Sequence, residues 1–253
     1  MENALRFVSV ALLVGLLPAC AAMAQDAKSD DRHYELRIYY AAPGKLEALQ
    51  ARFREHALAL LEKHGFTNIG YWTPVENPDD RLLYIIASPS REAHENAWKT
   101  FAADPEWAEV VKATEANGKL VAKVESIHLK ATDFSPVIAP SGGDPARCFE
   151  LRTYDAAPGK LDALLSRFRD HTVALFTKHG MGHIGYWTET EAGTNRLIYI
   201  LAHKSRESAA ESFKNFREDP DWIAAKTDSE KDGSLTAKVE SLFMTPLDFS
   251  PIK

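Results

Sequence analysis

Cysteine is scarce in this 253-residue sequence, which contains only Cys20 and Cys148. There is no Cys-x-x-Cys pair, and histidines and carboxylates do not recur at the spacing of a metal site. We therefore predict neither a bound metal nor a cofactor. Cys148 is expected to be a partly buried strand residue, because a small apolar role is commoner for a single cysteine than a reactive one.

Basic runs and glycine-rich phosphate loops are also missing. The chain has 30 Lys and Arg against 36 Asp and Glu, which gives a net charge of −6. Proteins that bind nucleic acid usually carry a basic patch, so we exclude nucleic acid as a partner. The longest apolar run, residues 7–17, is too short for a transmembrane helix, which needs about 20 residues.

Residues 1–24 have the features of a signal peptide. Arg6 precedes the apolar run, and Ala22-Met23-Ala24 matches a small-x-small cleavage site. We expect cleavage after Ala24 and a periplasmic or secreted protein. The alternative is lipidation, because the Leu-Pro-Ala-Cys segment at residues 17–20 is similar to a bacterial lipobox and would make the protein a lipoprotein anchored at Cys20.

The rest of the chain carries one long stretch twice. Glu-Leu-Arg, Ala-Pro-Gly-Lys-Leu, His-Gly and Gly-Tyr-Trp-Thr begin at residues 35, 42, 64 and 70 and return in the same order from residues 150, 157, 179 and 185. Each pair of motifs is 115 positions apart, as Trp72 and Trp187 are. A repeat of this length is a whole domain, since solenoid units have about 20–50 residues. We predict a first half at 33–134, a linker at 135–147 and a second half at 148–253.

In each half, the alternation of apolar and polar residues predicts the order β-α-β-β-α-β, with the second helix split in two. This order is the ferredoxin-like arrangement. In the first strand, Leu36 and Ile38 are expected to meet the helices, which leaves Glu35, Arg37 and Tyr39 on the open face. We predict an α+β fold in which the open faces of the two sheets pack together as an intrachain barrel, lined partly by Glu, Arg, Lys and Tyr.

The order of motifs resembles that of the NIPSNAP family. The motifs are Tyr-Glu-Leu-Arg-x-Tyr at residues 34–39, then Pro-Gly, Arg-x-His at 54–56, His-Gly, Gly-Tyr-Trp, and Asp-Pro-x-Trp at 104–107. The resemblance covers about residues 33–134 and 148–249 and implies a dimeric α/β barrel, in which ferredoxin-like domains pair sheet to sheet. The superfamily includes cofactor-independent monooxygenases, haem-degrading enzymes and small-aromatic isomerases or cyclases, so the resemblance implies a fold more than a reaction.

Two histidines are candidates for catalysis. His56 and His171 occupy matching positions on the first helix of each half. At a barrel mouth, either imidazole would serve as a general base near neutral pH. The alternative is a core-facing histidine that is hydrogen-bonded to the sheet.

Four pairs of residues are candidates for ligand binding. Arg37 and Arg152 would hold a ligand carboxylate or, alternatively, pair with neighbouring glutamates. The other candidates are aromatic and would line the barrel or simply pack in the core; they are Tyr39, Tyr71, Trp72, Tyr154, Tyr186 and Trp187.

We therefore predict a monomer that forms a pseudo-dimer and binds a small organic ligand in its barrel. One alternative is a cofactor-independent oxygenase or isomerase, and another is a protein-interaction module. Matching positions differ in polarity, as Ile38 and Thr153 do. We expect at most one functional pocket, which draws unequally on the two halves.

Overall fold

The computed structural model describes residues 30–142 and 147–253. The predicted signal peptide at 1–24 and the lipobox cysteine lie outside the described residues. Across the part of the chain that is described, no helix has both the length and the apolar character to cross a membrane.

The first half follows the predicted order of strands and helices. Its strands are β1 (His33–Ala41), β2 (Thr67–Pro74), β3 (Arg81–Ser88) and β4 (Val121–Ala131), and its helices are α1 (Leu46–Arg52), α2 (Leu58–Lys63), α3 (Arg91–Ala102) and α4 (Pro105–Thr114). Ser90 and Asp104 cap α3 and α4 through their side chains, and Pro105 begins α4 where no backbone donor is needed. These caps explain why the second predicted helix is split.

The second half repeats the same plan. Its strands are β5 (Cys148–Ala156), β6 (Gly182–Glu189), β7 (Arg196–His203) and β8 (Thr236–Pro246), and its helices are α5 (Leu161–Arg167), α6 (Val173–Lys178), α7 (Arg206–Glu218) and α8 (Pro220–Ser229). Ser205 and Asp219 provide the corresponding helix caps.

The eight strands form one closed barrel in the order β1-β3-β2-β8-β5-β7-β6-β4. Two short seams join the halves: β2 pairs with β8 over Trp72–Pro74, and β4 pairs with β6 over Leu129–Ala131. Closure gives each strand a neighbour on both sides, although each seam between the halves spans only three residue pairs. The predicted intrachain α/β barrel is confirmed.

The interior of the barrel is packed with apolar side chains from both halves, including Tyr34, Leu36, Trp72, Phe149 and Trp187. The prediction that Glu35, Arg37 and Tyr39 line the barrel is therefore wrong. The prediction that Leu36 and Ile38 meet the helices is also wrong, because both pack in the barrel interior. The two faces of β1 are exchanged relative to the prediction. The physical reason is that the middle of the barrel interior is lined by apolar side chains, whereas the layer under the helices contains polar partners for a charged pair.

Two segments outside the strands complete the barrel core. Ile138, in the predicted linker, and Ile252, near the C-terminus, both pack in the interior cluster and are 4% and 1% exposed. A parallel bridge between Ser141 and Ile252 holds these segments together. The linker therefore contributes to the core as well as joining the halves.

A π-helical turn interrupts the first helix of each half, at Phe53–Ala57 and at Phe168–Thr172. The wider turn inserts one extra residue, so Ala57 continues the buried stripe after Phe53 in place of His56. In the second half Thr172 takes the same buried position. This shift decides where both candidate histidines lie.

Candidate functional site

The outer face of the first-half sheet, under α3, contains a buried polar network centred on Glu35. Glu35 is 1% exposed and pairs with Arg37, with 2.6 Å between Oε1 and Nη1. His94 Nε2 and Trp98 Nε1, both on α3, each lie 2.8 Å from Glu35 Oε2. The Ser126 hydroxyl donates to the same carboxylate from β4. The structure confirms the alternative in which Arg37 pairs with a neighbouring glutamate.

This network keeps Glu35 ionised. Burial alone raises the pKa of Glu35, but the hydrogen bond from His94, the charge of Arg37 and the hydrogen bonds from Ser126 and Trp98 outweigh it and lower the pKa to about 2. Burial lowers the pKa of Arg37, and the neighbouring tyrosines and Glu35 reverse this and raise it. The pair is therefore charged throughout the ordinary pH range.

The second half repeats the network with its histidine moved. Glu150 pairs with Arg152 and accepts a hydrogen bond of 2.5 Å from Ser241. The imidazole that contacts Glu150 belongs to His203 on β7, whose Nε2 lies 3.1 Å from Glu150 Oε2. His203 matches Ser88 in the first half, and the position that matches His94 is Ala209. Two different backbone positions thus supply one imidazole to each buried glutamate.

Sequence reasoning missed His94 and His203 because they do not occupy matching positions in the repeat. The signal that could have found them is a paired exchange: Ser88 and His94 in one half become His203 and Ala209 in the other. An exchange of this kind indicates that both positions face the same partner.

The second half has an aromatic cavity of about 180 Å³ between the sheet and its helices. Its walls include Tyr154, Phe168, Phe176, Phe216 and Trp222. Arg167 also lines it and is 5% exposed, with Nη1 bonded to Glu230 Oε1 at 2.8 Å. The Arg167 Nε is buried and has no hydrogen-bond partner among the described residues, and the same is true of Arg52 Nε at the matching position of the first half. A buried unpaired donor beside aromatic walls suits a ring that carries an oxygen.

The matching cavity of the first half is much smaller, at about 50 Å³. Trp98 lines it, whereas the position of Trp98 in the second half is occupied by the smaller Phe213. A third cavity, of about 250 Å³, opens at one end of the barrel between the inner residues Ile38, Leu83, Leu151 and Thr153. The halves therefore offer unequal space, and the prediction of one functional pocket stays a prediction.

The candidate catalytic histidines lie on the surface. The His56 side chain is 41% exposed and 3.9 Å from Glu55, and His171 lines a shallow surface groove beside Asp170 and Asp221. Because of the π turn, neither histidine faces the core, so the core-facing alternative is wrong for both. Neither lines the aromatic cavity of about 180 Å³. Their catalytic role stays a prediction.

Some of the aromatic candidates lie in the barrel interior, and the others lie between the sheet and the helices. Trp72 and Trp187 lie in the barrel interior and are completely buried. Tyr71 and Tyr186 lie under the helices, where each stacks on a neighbouring tyrosine. Tyr39 and Tyr154 are also on the outer face, and Tyr154 is the one that lines the larger aromatic cavity. Contact of these residues with a ligand stays a prediction.

An eight-stranded barrel closed by two ferredoxin-like halves, with helices outside, defines a dimeric α/β-barrel protein formed within one chain. The chain belongs to the NIPSNAP family, because the NIPSNAP domain profile matches residues 34–136 and again 149–251. This membership confirms the resemblance stated from the sequence motifs.

Individual relatives agree with this assignment. The chain is 26% identical to Protein NipSnap homolog 3A of Homo sapiens over 230 residues, which cover 88% of this chain and 87% of that one. A solved monooxygenase-like protein of Lactobacillus acidophilus superposes with a TM-score of 0.56 at 10% identity, covering 86% of this chain and 94% of that one. A solved anthrone oxidase-like protein gives a TM-score of 0.56 at 11% identity, covering 88% and 95%. At these identities, the solved structures support the fold alone.

Proposed function

We propose that the protein binds a small organic molecule with one ring and an oxygen substituent, in the aromatic cavity of the second half. The observation that carries this proposal is the unpaired Arg167 Nε beside a cavity of about 180 Å³ with aromatic walls. An apolar protein cavity of about 150 Å³ is known to hold benzene, so this volume suits a single ring with a small substituent.

The charges around the cavity favour an anion or a strong acceptor. Arg167 and Lys226 are cationic, while Glu230 is the single carboxylate among the lining residues. Glu230 is already bonded to Arg167 and lies 4.0 Å from Lys226. One positive charge is therefore left over, which suits a carboxylate or a phenolate.

Turnover has less support than binding. The candidate bases His56 and His171 are outside the cavity. The cofactor-independent oxygenase or isomerase alternative would need another base, and the interaction-module alternative has no surface feature that supports it.

The binding proposal is tested with benzoate, phenol and 1-naphthol by saturation-transfer NMR and calorimetry. We expect at least one probe to bind the full chain with a dissociation constant on the order of 100 µM, which is typical of fragments of this size. Phe213 packs behind Phe176, a wall of the cavity, with ring centroids 5.8 Å apart. Phe213→Trp introduces the larger residue of the first half and should weaken binding about tenfold or more by pressing Phe176 into the cavity. The matched control Trp98→Phe alters the first half only and should leave binding unchanged.

The same titration distinguishes binding in the aromatic cavity from binding in the cavity at the barrel mouth. Thr153→Ile places the first-half residue at the barrel mouth and should not affect binding. If Thr153→Ile removes binding while Phe213→Trp does not, the ligand occupies the barrel mouth and the proposed site is wrong.

We also propose that the mature protein is exported, on the basis of the apolar run at 7–17 and Ala22-Met23-Ala24. Intact mass measurement of the protein from its native host should give an N-terminus at Gln25. An N-terminus at Met1 would refute export, and an acylated Cys20 would establish a lipoprotein.

A further inference from the structure

Three histidines from distant parts of the sequence meet beside Glu35 on the outer face of the first half. His33 is on β1, His94 on α3 and His128 on β4. Each offers one ring nitrogen, and these three nitrogens lie within 4.8 Å of one another. His33 Nε2 and His128 Nδ1 are 3.0 Å apart. Among residues 30–142 and 147–253, this is the one such group of potential metal ligands.

Each buried glutamate network requires only one imidazole. In the second half, His203 alone completes the network of Glu150, and the positions that match the three histidines are Cys148, Ala209 and Phe243. The first half already satisfies its glutamate with His94. His33 and His128 are therefore additional imidazoles that the shared network does not require.

Both additional imidazoles are neutral at pH 7. Burial is the largest cause that lowers the pKa of His33, and together with the neighbouring His94 and His128 it brings the pKa to about 4. Burial is also the largest cause of the lowered pKa of His128. A neutral imidazole has a free nitrogen lone pair, which is the form that binds a metal ion.

The third imidazole, that of His94, is oriented by Glu35 and Ser88. His94 Nε2 lies 2.8 Å from the ionised Glu35 carboxylate, so this nitrogen carries the proton and donates it. His94 Nδ1, which faces the Ser88 hydroxyl at 3.1 Å, is then the acceptor nitrogen. A carboxylate that orients a histidine through its second nitrogen is a common support for metal ligands.

We propose that His33, His94 and His128 bind one divalent first-row cation of the Zn²⁺ type, with a fourth position open to water or an anion. Imidazole nitrogens suit Zn²⁺, Cu²⁺ and Ni²⁺, and three histidines with an open position are a known zinc arrangement. In a tetrahedral zinc site, ligand nitrogens are about 3.3 Å apart. His33 and His128 are already near this spacing as hydrogen-bond partners, and the cation would replace the shared proton. The His94 nitrogen, which lies within 4.8 Å of the other two, has to approach by at most about 1.5 Å.

The surroundings give the cation a route and a fixed ligand. His128 is partly exposed, whereas His33 and His94 are buried, so the cation enters past His128. Glu35 orients His94 on one side, and its own charge is balanced by Arg37 at 2.6 Å. The nearby cation Arg91 is offset by Glu191, whose Oε1 lies 3.0 Å from Nη1, and by Glu95 at 3.2 Å. The proposal concerns the first half and is independent of the aromatic cavity.

The test is calorimetric titration of ZnCl₂ into the untagged full chain after chelation of bound metal. We expect one equivalent to bind with a dissociation constant tighter than about 10 µM. His128→Phe, which introduces the second-half residue, should weaken binding at least about 100-fold, since even supporting residues change metal affinity 10–100-fold. His183→Asn removes a histidine outside the cluster, introduces the residue of the first half, and should bind as the parent chain does.

Folding of His128→Phe is checked by circular dichroism without metal, and His33→Gln provides a second variant if the first does not fold. Co²⁺ in place of Zn²⁺ adds a visible absorption band that reports nitrogen coordination in the parent chain. Failure of the parent chain to take up one equivalent overturns the proposal. Equal binding by His128→Phe, His33→Gln and the parent chain overturns it as well.

Discussion

Trp72→Ala is expected to lower the free energy of unfolding by about 3–5 kcal/mol, the usual cost of truncating a buried tryptophan. Trp72 is completely buried in the barrel, and its ring lies 5.9 Å from that of Phe149 in the other half. The ring also covers Gly70 so closely that a Cβ there would lie 2.2 Å from Trp72 Cη2. Its Nε1 has no hydrogen-bond partner in the part of the chain that the structure describes, so the loss comes from packing and the remaining cavity.

Urea denaturation followed by circular dichroism and tryptophan fluorescence measures this change. Because both halves contribute to one barrel core, the two signals should change at the same urea concentration. Val137→Ala is the control, since Val137 is 74% exposed and should change stability by less than about 0.5 kcal/mol. A loss below about 1 kcal/mol for Trp72→Ala would contradict a shared, closely packed core.

Glu35→Ala is expected to cost a similar amount, about 3–5 kcal/mol, because it removes one partner of a buried ion pair. Without the carboxylate, the Arg37 guanidinium, His94 and Trp98 Nε1 lose an acceptor in a layer with little access to water. The measurement is the same urea titration at pH 7, where Glu35 of the parent chain is ionised.

Two comparison variants sharpen this result. Glu240→Ala removes an exposed carboxylate that pairs with Lys238, and its effect should stay below about 1 kcal/mol. Glu35→Ala/Arg37→Ala should lose less stability than the sum of the single variants, because the uncompensated charge is removed with its partner. Simple additivity would mean that the two residues do not act as a pair.

The repeat made the architecture predictable from the sequence. Its constant spacing gave the two halves, and the caps at Ser90 and Asp104 gave the split helix. The face of β1 was not predictable from alternation alone. Both residue sets on this strand are largely buried, so the period separates Leu36 from Glu35 without saying which one faces the helices.

The site was less predictable than the fold for two physical reasons. The π turn displaced His56 from the buried stripe, and an inserted residue of this kind leaves no clear mark in an apolar pattern. The three-histidine cluster depends on strand pairing and helix packing that bring residues from three separate elements together. Arg167 carried no sequence signal, because its role depends on the aromatic walls around it.

Because both halves of the barrel belong to one chain, a substitution in the gene changes only one half. In a barrel assembled from two identical subunits, one codon change alters both subunits, so any substitution that fills one cavity fills the other. Here each half has its own coding segment, and Trp98 and Phe213 have diverged while the strands stay paired. A single chain that carries both halves thus permits the first half to have a small cavity and three clustered histidines while the second half keeps a larger cavity.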